Sequence, residues 1–555
     1  MKRCFLGIDS RRPTLNVLLR LCLVLVLLIM ASPVSAEEQV VVPRFTIKQF
    51  VVEGDTLLGA ARIAALVKPF TGPERDFGDV QQAIEALEKA YRGMGYNSVA
   101  VILPEQELKG GNILIKVIES KIMNISIEGN RHFSTANIEA GFPTLEKGKT
   151  PLIHEVSQNL RVVNENPAKK VTLQLQNGAR EDELNAVLKV SDDKPWKVGL
   201  TFDNTGNKAT GDYRIGFLAQ YFNLFNLDQV GTIQFTTSPD KADKVTSYSA
   251  SYRIPIYRFG DSVDIFGGYS DIDSGTMQIN LGDATASFPS NITSSGKGIA
   301  SGLRYNYNLR RFGAYEHKLT GGVDYRRYDQ KLAMQFGDNT SMGDSTVTVH
   351  PLSLAYNGTL TFEGGDAGFY LGVIRNDRWG SGEQTDFDKQ PGRPPVDYTI
   401  LRFGLSAGYA LPGDWQFRLL FNGQYTDNTL ISGEQFGFGG SAGGRGYQER
   451  EVAGDQGYSG TAEIYTPDLA RFISLSGTQL RLLGFYDGGV TFKNHPARGE
   501  DDRKEPASTG AGLRMNYSKY FIFALDWGYA LHSLSGESAT RSGDSRIHFR
   551  AMLTY

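Results

Sequence analysis

The feature that most constrains this chain is a two-residue hydrophobic alternation that begins after Pro195 and continues to the last residue, Tyr555. Short runs in this region place apolar or aromatic residues at every second position, and clusters of Gly, Asn, Asp and Ser separate the runs. The final run puts five such residues on one face: Ile547, Phe549, Ala551, Leu553 and Tyr555. Because successive side chains of a β-strand point to opposite faces, the pattern predicts strands with one apolar face and one polar face.

Two kinds of β-structure fit such strands. A soluble sandwich or solenoid turns the apolar face inward, whereas a membrane barrel turns it toward lipid and lines a wet lumen with the polar face. An aromatic last strand and roughly 360 residues of repeated alternation favour the barrel. At about 20 to 24 residues per strand and loop, residues 194–555 predict a closed antiparallel transmembrane barrel of about 16 strands.

Residues 1–36 have the layout of a secretory signal peptide. Basic residues, among them Lys2 and Arg3, precede an apolar run at 21–30, and the small residues at 34–36 form a cleavage site before Glu37. The alternative, an uncleaved membrane anchor, needs about 20 apolar residues. We therefore expect an exported protein whose mature chain begins with a short segment at 37–44.

Charge and cysteine content exclude several classes of function. The formal net charge is −3, so the chain has no basic excess for binding nucleic acid. Both cysteines, Cys4 and Cys22, lie in the predicted signal peptide, and the seven histidines have no metal-ligand spacing. The sequence contains no nucleotide-binding fingerprint. We expect no cofactor, no metal and no nucleic-acid partner.

One motif suggests catalysis but lacks the context that catalysis requires. Residues 439–443 match the G-x-S-x-G pattern of serine hydrolases, with Ser441 at the nucleophile position. That pattern works where a strand leads into the serine and a helix leaves it. Because no helical periodicity follows Ser441, we predict that the protein is not an enzyme.

Residues 45–193 differ from the rest because helical periodicity appears in them twice. In residues 45–119, a strand at 45–52 precedes helices at 60–70 and 79–94 and strands at 99–103 and 113–118. In residues 120–193 the order recurs, with a strand at 122–127, helices at 135–140 and around 153–163, and strands around 171–175 and 184–190. The order predicts two β-α-α-β-β domains. Since the helices of such a domain cover one sheet face, each sheet leaves an edge for a guest strand.

A glycine-dense stretch at 433–455 interrupts the strand pattern and carries the sequence Arg445-Gly446-Tyr447. It resembles the outer-membrane transporters of two-partner secretion, the haemolysin-activator and filamentous-haemagglutinin exporter family. In that family a long extracellular loop folds back into the barrel lumen and carries an Arg-Gly-aromatic tip. The family's usual Val before the Arg is replaced here by Gly444. The resemblance implies that Arg445, Gly446 and Tyr447 form a gating loop.

A second motif of this family, Phe-x-Asp-x-Gly on an inward-facing barrel strand, matches Phe485, Asp487 and Gly489. In relatives the acid is understood to engage the loop arginine. The resemblance therefore implies an ion pair between Arg445 and Asp487 inside the barrel. A guanidinium and a carboxylate in a narrow lumen are partly desolvated, so each depends on the other more than exposed ions do.

The resemblance covers the whole mature chain and identifies the two small domains as polypeptide-transport-associated (POTRA) domains. It implies a pore in the outer membrane of a Gram-negative bacterium, with the POTRA domains in the periplasm. Such a pore recognises an unfolded partner exoprotein and exports it without ATP. The implied partners are a large secreted protein with an N-terminal secretion domain, outer-membrane lipid and the barrel-assembly machinery. The pore itself is expected to be a monomer.

Two alternative functions stay open. An insertase that assembles other outer-membrane barrels shares the small domains, the loop arginine and the barrel, although two domains rather than a longer array favour secretion. A passive porin or a barrel enzyme leaves the small domains unexplained.

Relatives often have an N-terminal helix that plugs the pore. Because only about eight residues separate Glu37 from Phe45, we predict no plug here.

Overall fold

The computed structural model describes residues 43–555 except 109, 209, 272–275, 281–290, 296, 337–338, 497–499 and 537–538. The predicted signal peptide, most of the segment at 37–44 and the predicted absence of a plug fall outside the described residues. The chain forms two compact units. The first comprises the described residues up to Lys89 together with Val101–Val117, and the second comprises Ala90–Ala100 and Ile118–Tyr555.

The first small domain contains a three-stranded sheet and two helices. Its elements are β1 (Phe45–Ile47), β2 (Gln49–Glu53), α1 (Ala60–Val67), β3 (Gly72–Arg75), α2 (Phe77–Met94), β4 (Val99–Ile102) and β5 (Asn112–Glu119). The sheet has the order β2-β5-β4 with β2 parallel to β5, and β1 and β3 form a separate antiparallel pair.

The single strand predicted at 45–52 is wrong, because Lys48 divides it into β1 and β2. The Lys48 N–H donates to the carbonyl oxygen of Gly111 at 2.7 Å, and the chain changes its pairing partner from β3 to β5 at this point. Alternation shows which face a residue occupies and contains no information about the neighbouring strand. The predicted helix at 60–70 also ends early, at Val67, because Pro69 lacks the N–H that would continue it and Lys68–Phe70 form a 3₁₀ turn.

The second small domain repeats the β-α-α-β-β order. Its elements are β6 (Lys121–Glu128), α3 (Thr135–Ala140), α4 (Ile153–Val163), β7 (Lys169–Asn177) and β8 (Glu183–Asp192). Ser134 caps α3 by accepting the Asn137 N–H at 3.1 Å, and the buried core between helices and sheet includes Ile122, Val156 and Leu188. In the described part of the chain, no helix combines the length and the apolar character needed to cross a membrane.

Residues from Trp196 onward form the barrel. Its elements are β9 (Trp196–Asp203), β10 (Arg214–Leu224), β11 (Gln229–Thr237), β12 (Thr246–Ile256), β13 (Asp261–Asp271), β14 (Thr276–Asn280), β15 (Asn291–Ser295), β16 (Lys297–Asn308), β17 (Tyr315–Phe336), β18 (Asn339–Val349), β19 (Leu352–Phe362), β20 (Gly365–Asn376), α5 (Gln384–Phe387), β21 (Tyr398–Leu411), β22 (Trp415–Tyr425), β23 (Phe436–Phe438), β24 (Val452–Gly454), β25 (Gln456–Tyr465), β26 (Thr478–Phe492), β27 (Arg503–Lys504), β28 (Ala507–Tyr517), β29 (Phe521–Ala530) and β30 (Ser545–Thr554).

Sixteen of the described strands make the closed antiparallel wall: β9–β13, β16, β17, β19–β22, β25, β26 and β28–β30. The strand β18 extends the hairpin of β17 beyond the wall, and the two-residue β27 pairs with the end of β26. The last strand closes the sheet on the first, with Arg550 opposite Asp203 and Thr554 opposite Gly199. The predicted fold class, two POTRA-type domains followed by a barrel of about 16 strands, is confirmed.

A buried polar cluster joins the second small domain to the barrel. Lys169 of β7 pairs with Asp228 in the turn after β10, and both side chains are fully buried. Asn137 of α3 donates to Asn223 Oδ1 at 3.1 Å and to the Asn226 carbonyl at 2.9 Å. Burial lowers the pKa of Lys169, although the neighbouring Asp228 charge acts in the opposite direction. Because these polar groups are buried away from solvent, each depends on its partners in the cluster, and these contacts hold the domain to the barrel rim.

The two faces of the wall differ as the alternation predicts. Ile233 is 57% exposed on the outer face of β11, while its neighbour Gln234 points to the inner face. The end of the barrel that adjoins the second small domain, here called the entry end, carries a ring of exposed aromatic residues at turns and strand ends: Phe225, Phe259, Phe312, Phe362, Trp415, Phe472, Tyr520 and Tyr555. Aromatic rings prefer the boundary between hydrocarbon and water, so this ring is typical of a membrane interface.

Exchanging one residue on each face of β11 tests the orientation of the wall. Ile233→Arg should lower the free energy of unfolding in phospholipid vesicles by about 2–4 kcal/mol, because the charge must enter hydrocarbon. The matched variant Gln234→Arg places the same side chain one residue away, in the lumen, and should change stability by less than about 1 kcal/mol. Denaturant titration followed by tryptophan fluorescence measures both values. Equal losses for the two variants would contradict an apolar face directed to lipid.

Candidate functional site

The stretch at 433–455 forms a hairpin that lies against the inner face of the wall. Its stem consists of a 3₁₀ turn at Ser432–Glu434 and the paired strands β23 and β24. Its tip, residues 439–451, contains the predicted gating residues. Arg445 and Tyr447 are buried there, with 3% and 0% of their surface exposed. The loop predicted at 433–455 therefore turns into the barrel.

Arg445 is held by three carboxylates of the wall. Its Nε and Nη2 donate to the two oxygens of Asp487 at 2.9 and 2.8 Å, and its backbone N–H donates to the same carboxylate at 3.0 Å. Its Nη1 lies 2.8 Å from Glu463 and 3.4 Å from Asp526. The guanidinium carbon lies 3.3 Å from the ring centre of Phe485. The structure thus brings Arg445 and Asp487 together, and their predicted role as a gate remains a prediction.

The planar shape of the guanidinium explains why arginine suits this position. Its N–H groups form a fork that can serve two oxygens of one carboxylate while a third donor reaches another acid, and its face can stack on an aromatic ring. Lysine has a single ammonium and cannot do both. Asp487 is fully buried, so loss of the arginine would leave a desolvated carboxylate without its main partner.

Close packing explains the glycines of both motifs. A Cβ at Gly446 would lie 2.7 Å from the backbone nitrogen of Ala530, and a Cβ at Gly489 would lie 2.7 Å from the ring of Phe438. Gly444, the departure from the family pattern, has a φ of 85°, a region that a valine rarely adopts. The tip of this protein therefore uses a backbone conformation that the family's usual residue would disfavour.

Tyr447 ties the tip to the wall through its hydroxyl. The hydroxyl oxygen lies 3.0 Å from the carbonyl of Ala507 and 2.8 Å from that of His532, and it accepts the Ala507 N–H at 3.1 Å. The ring packs against Phe438 in a small buried cluster. Tyr447 therefore adds an apolar and a polar contact to the ionic contacts of Arg445.

The stem has its own anchor, which the sequence did not suggest. Glu434 is fully buried and accepts two hydrogen bonds from Arg326 Nη1, at 2.8 and 2.9 Å, and one from the Tyr328 hydroxyl at 2.8 Å. The side-chain amide of Gln424 donates to the Glu434 carbonyl at 2.9 Å and to the Asp455 carbonyl at 3.0 Å, which links the two ends of the hairpin. The hairpin is thus fixed at two points, by the buried carboxylate of Glu434 in its stem and by the buried guanidinium of Arg445 in its tip.

Sequence reasoning missed the further partners of both anchors. His548 belongs to this group, since its Nε2 lies 2.9 Å from the Arg445 carbonyl and must carry the proton there. Glu463, Asp526 and Arg326 are charged residues at inward positions of alternating strands, and that placement is the one signal that could have marked them. Among the described residues, no group of three or more His, Cys, Asp or Glu side chains could hold a metal ion.

A closed barrel that follows two small α/β domains and holds a basic hairpin tip against acids of its inner wall defines a transporter of the outer membrane. The chain belongs to the family of haemolysin secretion/activation proteins ShlB/FhaC/HecB, which residues 183–515 match. Residues 45–120 match the ShlB-type POTRA domain. The family is one of transporters rather than enzymes. The predicted resemblance and the predicted outer-membrane location are therefore confirmed.

Similar proteins include the outer membrane transporter CdiB of Dickeya dadantii (strain 3937). It is 24% identical over 435 residues, which cover 77% of this chain and 74% of the relative. The heme/hemopexin transporter protein HuxB of Haemophilus influenzae (strain ATCC 51907 / DSM 11121 / KW20 / Rd) is 24% identical over 467 residues, 82% of this chain and 78% of the relative. The solved structure of CdiB from Escherichia coli has the same fold, with a TM-score of 0.73 and 20% identity over 99% of this chain and 100% of that one.

The contacts of Arg445 predict a change in pore conductance. Arg445→Gln leaves the Asp487 carboxylate buried without its cation, and breaking a buried pair in this way costs about 3–5 kcal/mol. The tip should leave the wall, and single-channel conductance in planar bilayers should rise severalfold. Arg450→Gln is the matched control, because Arg450 lies in the same tip but donates to the carbonyls of Ser432 and Gln435. An unchanged conductance of Arg445→Gln would show that the ion pairs do not hold the loop.

Proposed function

We propose that this protein recognises an unfolded partner exoprotein in the periplasm and passes it through the barrel to the cell surface without ATP. The observation that carries the proposal is the hairpin tip held in the lumen by Arg445. A permanent plug needs no charged contacts, whereas ion pairs can be exchanged for water and re-formed when the tip moves. The cargo is a large secreted protein of the haemolysin or adhesin kind with an N-terminal secretion domain.

Recognition takes place at sheet edges of the small domains. The sheet of the first domain ends in β2 and β4, and the sheet of the second ends in β6 and β7. An edge strand presents unpaired N–H and C=O groups that an extended polypeptide can pair with, and unfolded cargo offers such segments. Because this pairing uses backbone groups, it accepts cargo sequences that differ in their side chains.

The lumen provides a wet route on the entry side of the tip. A cavity of about 620 Å³ lies along the inner wall there, and Gln416, Arg418, Arg481 and Arg514 are among the residues that line it. Arg418 is largely exposed and lies 3.9 Å from Glu463, which also contacts Arg445. Polar walls of this kind hydrate a passing polypeptide instead of binding its apolar side chains.

The moving part of the gate is the tip, and the stem stays in place. Gly439 and Gly440, the first two residues of the tip after β23, have φ values of 117° and 96°, and glycine can change its backbone angles there with little steric penalty. The stem is fixed on both sides of this hinge by buried polar groups, Glu434 before it and Asp455 after the tip. Rotation at these glycines would move the tip while the two anchors keep the stem in place.

Export without ATP follows from the compartment and from folding. The periplasm supplies no nucleotide, so the chain moves by diffusion through the open lumen. Cargo that folds outside can no longer fit the pore, and its folding free energy makes the movement irreversible. Lipid around the wall and the barrel-assembly machinery that inserts it complete the partners, and one chain suffices because one closed wall encloses the route.

The division into stem and tip predicts two different distance changes. Spin labels on introduced cysteines at Ala442 in the tip and Ala453 in the stem can each be paired with one at Leu354, which is exposed on the outside of β19. In an Arg445→Gln background, the Ala442 to Leu354 distance distribution should lengthen and broaden, while the Ala453 to Leu354 distribution should stay as in the parent. Pulsed electron paramagnetic resonance measures both. Movement of both labels would mean that the whole hairpin swings.

Export itself tests the proposed function. Deletion of the chain should remove one large species from the culture medium, as seen by mass spectrometry, and Arg445→Gln or Asp487→Asn should reduce that species to background. Arg450→Gln and Asp271→Asn, which change a tip arginine and a wall carboxylate outside both the ion cluster and the proposed route, should export normally. Heat-dependent mobility in gels confirms that every variant inserts as a folded barrel. Normal export by both cluster variants would refute the gate.

A further inference from the structure

A cleft of about 510 Å³ opens at the entry end of the barrel, where the first and last wall strands meet. Buried Phe222 and Ala168 lie at its base. Three aromatic residues and three lysines are among the residues that line the rest of it: Trp196, Tyr520, Tyr555, Lys194, Lys197 and Lys519. The cleft lies within the second compact unit, away from the hairpin tip and its acids.

The charges at this cleft are mostly positive. Among the described residues, Asp193 is the one acidic residue that lines it. This carboxylate pairs with Lys519 at 3.1 Å, and both side chains are more than 60% exposed. An ion pair in that much water is weak, so it can be exchanged for another anion. Lys194 has its ammonium over two rings, 4.9 Å from the centre of Tyr555 and 5.3 Å from that of Trp196. The lining of the cleft therefore carries three lysines and one carboxylate, and the ammonium groups of Lys194 and Lys519 are the ones that contact the aromatic rings and this carboxylate, respectively.

The position of the cleft places it at the level of lipid headgroups. Tyr555 and Tyr520 belong to the ring of exposed aromatic residues at the entry end, and Trp196 packs beside Tyr555 with ring centres 5.4 Å apart and the ring planes tilted by 39°. Aromatic rings of this kind mark the boundary between hydrocarbon and water. A phospholipid there would set its phosphate beside the lysines while its acyl chains run along the exposed Leu200 and Leu553 of the seam strands.

The junction beside the cleft has the shortest strand pairing in the described wall. Arg550 to Thr554 of β30 pair in register with Gly199 to Asp203 of β9, and backbone hydrogen bonds extend this pairing to Tyr555 with Val198 and to Phe549 with Asn204. Each of the other described wall junctions pairs at least eight residues in register. Lys194 and Lys197 belong to the β9 side of this seam. Lys519 belongs to the other side, since the Thr554 hydroxyl of β30 donates to its carbonyl oxygen at 2.5 Å. A ligand that contacts both sides would hold the seam closed.

We propose that this cleft binds the headgroup of an anionic phospholipid and that the bound lipid stabilises the closure of β30 on β9. The phosphate bridges Lys194 on one side of the seam and Lys519 on the other. The aromatic rings and the apolar base accommodate the glycerol and the first carbons of the acyl chains. An anionic phospholipid is the ligand class that fits both features of the cleft. A free phosphate would contact only the lysines, and a neutral lipid would contact only the aromatic rings.

Native mass spectrometry of the detergent-purified full-length protein tests the proposal with phosphatidylglycerol as the probe. The double variant Lys194→Gln/Lys519→Gln should bind it about tenfold more weakly than the parent, because each lysine contributes separately to headgroup binding. Lys194→Arg/Lys519→Arg keeps the charges and should bind as the parent does. The matched control Lys208→Gln/Lys244→Gln removes two exposed lysines at the opposite end of the barrel and should also bind normally.

Thermal unfolding of the same proteins tests the effect on the seam. Phosphatidylglycerol should raise the unfolding temperature of the parent and of the control, and it should leave that of Lys194→Gln/Lys519→Gln unchanged. Phosphatidylcholine should have little effect on any of them. Equal binding of phosphatidylglycerol to the parent and to the double glutamine variant would overturn the proposal. So would binding of glycerol phosphate as tight as that of the lipid, or binding of an oligoglutamate peptide with no binding of lipid.

Discussion

Closure of the sheet between β30 and β9 is the constraint on which the rest of this structure depends. A strand at an open edge leaves a row of N–H and C=O groups without partners, and in hydrocarbon each such group costs several kcal/mol. The pairing of Arg550–Thr554 with 199–203 removes that edge. Once the sheet is closed, each strand has one face outside and one face toward a lumen too wide for side chains to fill. The alternation of the sequence, the aromatic ring at the entry end and the polar inner wall all follow from that geometry.

Inside a closed lumen, a small number of charged residues also determine where the hairpin lies. The hairpin at 433–455 packs against the inner wall so closely that its charged groups Arg445 and Glu434 are buried, and they must find partners on the wall. Arg445 does so with Asp487, Glu463 and Asp526, and Glu434 does so with Arg326. The opposite polarity of the two anchors keeps the hairpin from sliding, because a shift that satisfied one anchor would misplace the other. Gly439 and Gly440, which lie between the two anchors, are the proposed hinge of the tip.

The sequence predicted more of the local structure than of the pairing. Helix α3 begins and ends where it was predicted, at Thr135 and Ala140, and the strands of the second small domain lie within a few residues of their predicted bounds. The switch at Lys48 was missed because a change of partner strand does not change the alternation. In the site, the pair of Arg445 and Asp487 came from two motifs of a known family. Glu434 and Arg326, 108 residues apart, belong to no such motif and could not be paired.

By itself the sequence determined the class of this protein. Alternation over the last two thirds of the chain, two domains with helical periodicity and two short motifs were enough, because side-chain polarity and glycine placement are local properties that a linear chain displays. The tertiary structure alone decided which charges meet. The partners of Arg445 lie on β25, β26 and β29, and the distance between strands across a barrel depends on its register and closure. Ion pairs and clefts at the seam depend on those distances, so they exist only once the wall has closed.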